Sequence, residues 1–281
     1  MKEKILVTGG AGYIGSHVVK QLLESNTCEV VVIDNLSTGF IKTIKQLQSI
    51  KNFSFFKEDL KNLDKIEEIF CKEKIDSVLH FAGSLIVPES ITNPLKYYDN
   101  NVINSINLIN LCQKYLIHKF VFSSTAAVYG NISADKIPVQ ESLNTQAFTP
   151  YGESKLMVEK ILSSVAKSNE KFNFVALRYF NVAGSDESGL IGQSTLNSTH
   201  LIKVAAMTAT GQRKEMEIFG NDYDTKDGTC VRDFIHISDL ADIHIKALNF
   251  LNQNKSEIFN CGYGHGYSVL EIVNTMKKVS G

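Results

Sequence analysis

Short apolar runs alternate with amphipathic segments through the first two thirds of the chain. Continuous apolar runs, as at 77–81 and 119–122, are typical of strands buried on both faces of a parallel sheet. The segments between them repeat apolar residues at helical spacing. Strands are predicted at 4–8, 29–34, 53–57, 76–81, 119–124 and 173–179, and helices at 13–25, 64–73, 94–116 and 151–168. This order predicts an α/β fold built on a doubly wound parallel sheet.

The alternation ends near Gly184, where a polar stretch rich in Gly, Ser and Asn begins. Further elements are predicted as a helix at 199–211, strands at 217–219, 232–236 and 257–261, an irregular loop at 220–228, and helices at 239–251 and from 268 onward. We therefore predict a main domain at 1–181, with 232–251 returning to it. Residues 182–281 are predicted to form a smaller, partly interwoven C-terminal region.

A glycine-rich turn lies between the first predicted strand and the first predicted helix. Gly9, Gly12 and Gly15 fit G-x-x-G-x-x-G, and Gly10, Gly12 and Gly15 fit G-x-G-x-x-G. Glycines permit a sharp turn and a close backbone approach to a ligand, and the helix start beyond them favours a pyrophosphate. Asp34, nineteen residues after Gly15, ends the second strand, where a Rossmann domain places a carboxylate against the adenosine ribose. Since that carboxylate repels a 2′-phosphate, NAD is favoured over NADP.

Other candidate residues follow the remaining strands, because ligands bind at the carboxyl ends of strands in such folds. The third strand is followed by Asp59 and Leu60, which are placed to face the adenine. The small residues of 81–83 follow the fourth strand, where the cofactor would pass. A hydroxyl run at 123–125 follows the fifth strand, and Asn181 follows the sixth.

Tyr151 and Lys155 are four residues apart, so they share one face of a predicted helix. A Lys ammonium beside a Tyr favours the phenolate and lowers its pKa from about 10, so that the phenol can act as a base near neutrality. The spacing alone is weakly specific, because Tyr115 and Lys119 match it at a place far from any carboxyl edge. Thr125 can bring a hydroxyl to the same edge as Tyr151.

The composition of the chain argues against several other classes of protein. The net charge of −1 over 281 residues gives no electrostatic case for nucleic acid or for an acidic membrane. We expect no membrane span and no signal peptide, because apolar stretches stay short and the first strand begins almost at once. Five cysteines without a C-x-x-C pair predict reduced thiols in a cytoplasmic protein, and the scattered histidines predict no metal site. His80 and His236 are predicted to be satisfied core or edge residues.

Together these motifs resemble the extended short-chain dehydrogenase/reductases and, over nearly the whole chain, the UDP-glucose 4-epimerase family, also called the UDP-galactose 4-epimerases. The matching stretches are 9–17, 34–36, 80–83, 97–101, 122–130, 151–158, 177–181, 218–223 and 227–241. The resemblance implies interconversion of UDP-glucose and UDP-galactose, with a tightly bound NAD that is reduced and reoxidised in each turnover.

The resemblance also implies roles for individual residues. Tyr151 would take the proton of the hexose 4-hydroxyl, Lys155 would lower the pKa of Tyr151 and hold the nicotinamide ribose, and Thr125 would bind the sugar oxygen. The implied cofactor site consists of Gly9, Gly12, Tyr13, Ile14, Gly15, Asp34, Asn35, Asp59, Leu60, Phe81, Ala82, Gly83, Asn100, Ser123, Tyr151, Lys155 and Phe180. The implied UDP-sugar site consists of Thr125, Tyr151, Asn181, His200, Leu201, Phe219 and Arg232.

The helix predicted at 94–116 carries two apolar stripes. One consists of Leu95, Tyr98, Val102, Ile106 and Ile109, and the other of Leu108, Leu111 and Tyr115. One stripe can cover the sheet while the other needs a partner, so we expect a homodimer, which the resemblance also implies.

The chain departs from the family at several places. Ser84 and Leu85 replace a Leu-Lys pair, and His200 stands where some members carry Asn. Family members continue beyond Gly281, so we expect an incomplete substrate region that leaves NAD binding intact and weakens UDP-sugar binding.

Two alternatives stay open. One is another sugar-nucleotide enzyme of the same superfamily, such as a decarboxylase or a 4,6-dehydratase. Dehydratases carry an Asp-Glu pair after the Thr of the fifth strand, whereas Ala126 and Ala127 follow Thr125 here. The other is a non-catalytic NAD-binding protein, which Tyr151 and Lys155 disfavour.

Overall fold

The computed structural model of the protein describes residues 2–195 and 198–281. Its strands are β1 (Lys4–Thr8), β2 (Glu29–Ile33), β3 (Ser54–Phe56), β4 (Ser77–His80), β5 (Lys119–Ser123), β6 (Asn173–Tyr179), β7 (Asn181–Ala183), β8 (Val231–His236), β9 (Glu257–Cys261) and β10 (Gly266–Ser268). Its α-helices are α1 (Tyr13–Ser25), α2 (Ile41–Gln48), α3 (Leu63–Glu73), α4 (Val87–Thr92), α5 (Pro94–Tyr97), α6 (Asn104–Lys114), α7 (Pro150–Ser168), α8 (Leu201–Ala209), α9 (Ile237–Phe250) and α10 (Val269–Ser280). A π-helical turn, Tyr98–Ile103, joins α5 to α6.

Seven strands form one sheet in the order β3-β2-β1-β4-β5-β6-β9, and every pairing in it is parallel. The strand order reverses between β1 and β4, where Thr8 pairs with Ile33 on one side and with His80 on the other. A crevice opens at such a reversal, outside the carboxyl ends of the strands. The predicted doubly wound parallel sheet is confirmed.

The sheet is buried on both faces, which explains its continuous apolar strands. Alternate residues point to opposite faces, so Val7 joins a core with α1 and α9, while its neighbour Leu6 joins a core with α3, α6 and α7. Val7 and Leu6 are both fully buried. Packing on both faces fixes the carboxyl edge of the sheet as a rigid platform for the loops that follow the strands.

A second, smaller sheet has the order β10-β8-β7. Strand β8 pairs in parallel with β7 and antiparallel with β10. Between these strands the chain returns to the main layer, since α9 packs against α1 and β9 extends the large sheet beside β6. The division of the chain at residue 181 stays a prediction.

Several predicted elements are corrected. The predicted strand at 217–219 is wrong, because these residues have no strand partner and Phe219 is 78% exposed. The helix predicted at 94–116 is interrupted by the π-helical turn and ends at Lys114, and the helix predicted at 199–211 spans only Leu201–Ala209. Strands β7 and β10 and helices α2 and α4 were not predicted. Residues 196 and 197 of the predicted polar stretch lie outside the described residues.

No helix within residues 2–195 and 198–281 has the combined length and apolar character that crossing a bilayer requires.

Candidate active site

A cleft with about 1520 Å³ of empty space, part of it open to solvent, lies at the carboxyl edge of the large sheet. It is lined by every residue of the predicted cofactor set, from the glycine-rich turn after β1 to Phe180 after β6. Four of the predicted substrate residues also line it: Thr125, Tyr151, Asn181 and His200. The fold therefore brings together groups that are far apart in the chain.

The glycine-rich turn is shaped so that side chains are excluded from it. Gly9 has a φ of +75°, and a Cβ on Gly15 would lie 2.4 Å from the carbonyl oxygen of Gly9. Helix α1 begins directly after Gly12 and has no acidic residue in its first turn. A helix N-terminus with unpaired N–H groups and no anion of its own suits a phosphate group. The turn therefore fits the pyrophosphate of a dinucleotide.

Asp34 lies directly after β2 at the opposite side of this turn. The backbone N–H of Ala11 donates to Asp34 Oδ2 over 2.9 Å, and the N–H of Leu36 donates to Oδ1 over 2.8 Å. Burial raises the pKa of Asp34, and these two backbone hydrogen bonds oppose that shift. Nearby, Asn35 donates to Asp59 over 2.9 Å, and Glu58 also lines the cleft, so three carboxylates stand at this end. Such acceptors suit the hydroxyl groups of a ribose.

The π-helical turn directs Asn101 into the wall of the cleft. Asn101 accepts a hydrogen bond from the N–H of Ser84 over 2.7 Å and donates to Ser154 Oγ over 3.0 Å. A Cβ on Gly83 would lie 3.0 Å from Asn101 Oδ1, so the loop after β4 approaches this turn very closely. Asn101 thus links the loop after β4, which lines the cleft, to α7, which carries Tyr151 and Lys155.

Helix α7 places Tyr151 and Lys155 at the cleft. Pro150 begins the helix, and Thr149 caps it by accepting a hydrogen bond from the N–H of Gly152 over 3.2 Å. Lys155 donates to the carbonyl oxygen of Ser123 over 2.9 Å. Both side chains are buried, and burial lowers the pKa of Lys155 to about 8.

Burial also raises the pKa of Tyr151, and the nearby Thr125 hydroxyl opposes this shift. The direction is opposite to the one predicted from the Tyr151–Lys155 spacing. The reason is that burial of the phenol outweighs its neighbours, while the Lys155 ammonium is engaged with the Ser123 carbonyl.

Three predicted substrate residues do not line this cleft. Arg232 on β8 is exposed, and its guanidinium donates to the carbonyl oxygen of Val231 over 2.7 Å. Phe219 projects into solvent, and Leu201 begins α8 just beyond the cleft-lining His200. The structure gives these three no shared site with Tyr151.

Sequence reasoning missed other lining residues, among them Glu58, Ser84, Tyr179, Gln193 and Thr195. Ser84 and Glu58 adjoin predicted residues, so extending each strand-end motif by one residue would have found them. Gln193 and Thr195 carry no comparable signal, because they lie in an irregular segment. His80 is satisfied as predicted, since its ring nitrogens form hydrogen bonds with Thr8 and Ser105 over 2.7 and 2.8 Å.

The fold and the cleft define a dinucleotide-binding protein, and comparison with known proteins specifies its family. Residues 5–262 match the NAD dependent epimerase/dehydratase family. The chain is 46% identical over 279 residues to a UDP-glucose 4-epimerase of Azospirillum brasilense, a match that covers 99% of this chain and 78% of that protein. A UDP-glucose 4-epimerase of Bacillus subtilis (strain 168) is 43% identical over 281 residues, with 99% and 82% covered.

Comparison with solved structures points to the same kind of protein. The UDP-Glc/GlcNAc 4-epimerase of Campylobacter jejuni has a TM-score of 0.87 and 48% identity, covering 99% of this chain and 84% of that one. The UDP-glucose 4-epimerase of Bifidobacterium longum, in complex with NAD+ and UDP, has a TM-score of 0.94 and 37% identity, with 99% and 83% covered. The chain belongs to the NAD dependent epimerase/dehydratase family.

Proposed function

We propose that this chain interconverts UDP-glucose and UDP-galactose by transient oxidation at carbon 4 of the hexose, with NAD as a tightly bound cofactor. The observation that carries the proposal is a single cleft that joins the glycine-rich turn and Asp34 to Tyr151, Lys155 and Thr125. Relatives named UDP-glucose 4-epimerase support it at 43–47% identity over nearly the whole chain.

The cleft offers a position for each part of the cofactor. The glycine-rich turn and the start of α1 would hold the pyrophosphate, Asp34 would hold the adenosine ribose, and Lys155 would hold the nicotinamide ribose. When bound, NAD supplies a nicotinamide ring that takes a hydrogen with its electron pair from carbon 4 of the sugar and returns it.

The side chains of the chain itself handle the proton and the orientation of the sugar. Tyr151 takes the proton of the 4-hydroxyl at its phenolic oxygen while carbon 4 is oxidised, and gives the proton back when carbon 4 is reduced. The ammonium of Lys155 stabilises the phenolate form of Tyr151, which is the form that accepts this proton and is left as the phenol. Thr125 orients the oxygen on carbon 4. Asn181 and His200 line the same cleft and are proposed to bind the UDP-sugar, whereas roles for Leu201, Phe219 and Arg232 stay predictions.

The carboxylates of the cleft argue against a dehydratase. Loss of water from the sugar needs an acid and a base beside the reacting carbons. Asp34, Glu58 and Asp59 are the carboxylates among the lining residues, and they follow β2 and β3, which lie across β1 and β4 from β5. The residues after Thr125 are Ala126 and Ala127.

The test is direct. The purified protein is denatured, the released cofactor is identified, and the native protein is assayed with UDP-galactose and UDP-N-acetylgalactosamine. The second sugar is included because the Campylobacter relative is a UDP-Glc/GlcNAc 4-epimerase. We expect released NAD or NADH and formation of UDP-glucose. A protein that carries no nicotinamide cofactor, or one that releases a dehydrated sugar, would overturn the proposal.

A homodimer and a cytoplasmic location complete the proposal. Leu95 on α5 and Ile103, the last residue of the π-helical turn, are 72% and 50% exposed, and Met157 on α7 is 39% exposed. Exposed apolar side chains on helices of one layer support a partner surface. All five cysteines are free thiols, which supports a reducing compartment.

A further inference from the structure

A buried ion pair lies behind the catalytic end of α7. Arg178 on β6 donates from Nε to Glu159 Oε1 over 3.0 Å and from Nη2 to Oε2 over 2.6 Å, and the two side chains are only 5% and 2% exposed. A further hydrogen bond comes from Ser124 Oγ, 2.5 Å from Glu159 Oε1. Replacing a buried ion pair by apolar residues is often neutral or stabilising, so stability alone does not account for this one.

The pair is connected to Lys155 in two ways. Tyr151, Lys155 and Glu159 follow one another at intervals of four residues, so they lie along one face of α7. In addition, Ser124 holds the Glu159 carboxylate, and the carbonyl of the preceding Ser123 accepts the hydrogen bond from Lys155 Nζ. The carboxylate and the ammonium are therefore fixed to adjacent residues at the end of β5.

Burial favours the neutral form of His80, Tyr151 and Tyr179, the titratable groups on the elements around Lys155. His80 on β4 has its pKa lowered to about 3 by burial and by the Lys155 charge. Burial raises the pKa values of Tyr151 on α7 and Tyr179 on β6. The ring of Phe122 on β5 lies with its centroid 4.8 Å from Lys155 Nζ. Glu159 is thus the anion that favours the ammonium, against the burial that lowers the pKa of Lys155.

We propose that Glu159 is a positioning residue for the reaction: it keeps Lys155 charged and held at the Ser123 carbonyl, and Arg178 fixes the carboxylate in place. The proposal rests on the proposed function only in that Lys155 is taken to act on the cofactor and on Tyr151. Glu159 does not line the cleft and acts through Lys155.

The proposal predicts an order of Lys155 pKa values among variants of Glu159 and Arg178 that a merely structural role would not produce. Glu159→Gln removes the negative charge and leaves Arg178, so the pKa of Lys155 should fall by about one unit or more. Arg178→Met removes the positive charge beside the Glu159 carboxylate, so the pKa of Lys155 should rise. The double variant E159Q/R178M removes both charges, so its Lys155 pKa should lie between those of Glu159→Gln and the unchanged protein.

The measurement is a ¹³C NMR titration of protein labelled at lysine Cε, with cofactor bound and no sugar present, and with the Lys155 signal assigned by Lys155→Arg. The control is Glu73→Gln. Glu73 is also a buried carboxylate in an ion pair, with Lys4 at 3.1 Å, and α3 carries it at the opposite edge of the sheet. This control should leave the Lys155 titration unchanged.

In Glu159→Gln, the basic limb of the pH profile of kcat should move to lower pH by the same amount as the Lys155 titration midpoint. The activity of this variant should recover at lower pH. An unchanged Lys155 midpoint in both Glu159→Gln and the double variant would overturn the proposal, as would failure of the double variant to fold. Because the titration needs no sugar, a chain that acts on a different nucleotide sugar would still report on Glu159.

Discussion

The carboxylate of Asp34 is hydrogen-bonded to the glycine-rich turn itself, with 2.9 Å between Asp34 Oδ2 and the backbone nitrogen of Ala11. Its other oxygen accepts from the N–H of Leu36. Asp34 therefore fastens the end of β2 to the turn after β1, in addition to the ribose contact that we propose. The shape of the turn and the proposed preference for a ribose hydroxyl would therefore depend on the same side chain.

Asp34→Asn should weaken NAD binding and relax the discrimination against NADP. The amide keeps one acceptor oxygen, loses the charge, and cannot accept from both Ala11 and Leu36. Loss of a hydrogen bond to a charged group is worth about 1.5–3 kcal/mol, which corresponds to about 10- to 150-fold in affinity. Calorimetric titration with each cofactor measures both effects. Asp64→Asn, in the first turn of α3, is the control, and equal affinities in Asp34→Asn and the unchanged protein would remove Asp34 from the ribose site.

Tyr151→Phe should abolish epimerisation while NAD stays bound. The variant loses the phenolic oxygen that we propose as proton acceptor, whereas the groups proposed to hold the pyrophosphate and adenosine ribose remain. A general base typically contributes about 10²–10⁴-fold to the rate, so kcat should fall within that range.

The matched control is Tyr115→Phe, since Tyr115 and Lys119 have the same spacing. The Tyr115 hydroxyl donates to Glu67 over 2.8 Å and lies outside the cleft. Tyr115→Phe should keep its activity. Retention of more than about a tenth of kcat in Tyr151→Phe would exclude Tyr151 as the base.

The large sheet and the glycine-rich turn were predictable because their signals are local. Val7 and its neighbours are apolar because β1 lies inside the sheet and is buried on both faces. The glycines are required by close backbone contacts within the turn. The small sheet was not predictable, since Asn181–Ala183 and Gly266–Ser268 are too short to show a period and are ordered by pairing with β8.

Local patterns were also insufficient for parts of the site. The inward direction of Asn101 depends on the π-helical turn, which interrupts an otherwise regular helical pattern. The pKa of Tyr151 depends on how deeply the assembled fold buries the phenol, which the Tyr-Lys spacing does not contain. Both features follow from tertiary packing.

Gly15→Ala should destabilise the protein and reduce the amount of NAD that it carries. The added Cβ would lie 2.4 Å from the carbonyl oxygen of Gly9, so the turn must shift. Overpacking of this kind typically costs about 1–3 kcal/mol. Thermal unfolding and the cofactor content of the purified protein measure the two effects. Gly192→Ala is the control, because its Cβ would meet Ser185 Cβ at 3.4 Å, an ordinary contact; equal losses in both variants would contradict the expectation.

The paired variant L95E/I103E should convert the proposed homodimer into a monomer. Ile109 and the second predicted stripe are buried or half-buried against the fold, while Leu95 and Ile103 stay exposed. Charges placed in an apolar interface would be desolvated without partners. Light scattering at micromolar concentration gives the mass. Ile41→Glu on α2, where Ile41 is 46% exposed, should leave the mass unchanged, and a monomeric parent protein would refute the dimer.

Acid should destabilise the protein partly through His244, and removing this histidine should flatten the pH dependence. His244 on α9 is fully buried, donates to the carbonyl oxygen of Leu240 over 2.8 Å, and packs against Phe81 with 4.7 Å between ring centroids. Burial lowers the pKa of His244 to about 4. Below the unfolded pKa of about 6.5 the unfolded chain binds more protons than the folded one, so stability is present above about 6.5 and is lost as pH falls toward 4.

From this difference His244 should account for about 2 kcal/mol of lost unfolding free energy between pH 7.5 and pH 5. Urea unfolding at the two pH values gives the loss for each protein. His244→Gln should lose about 2 kcal/mol less than the unchanged protein over this interval, whatever its stability at pH 7.5, because it has no proton to gain. His265→Gln, at an exposed position, should follow the unchanged protein. If His244→Gln loses as much free energy as the unchanged protein, His244 is not the group that charges on unfolding.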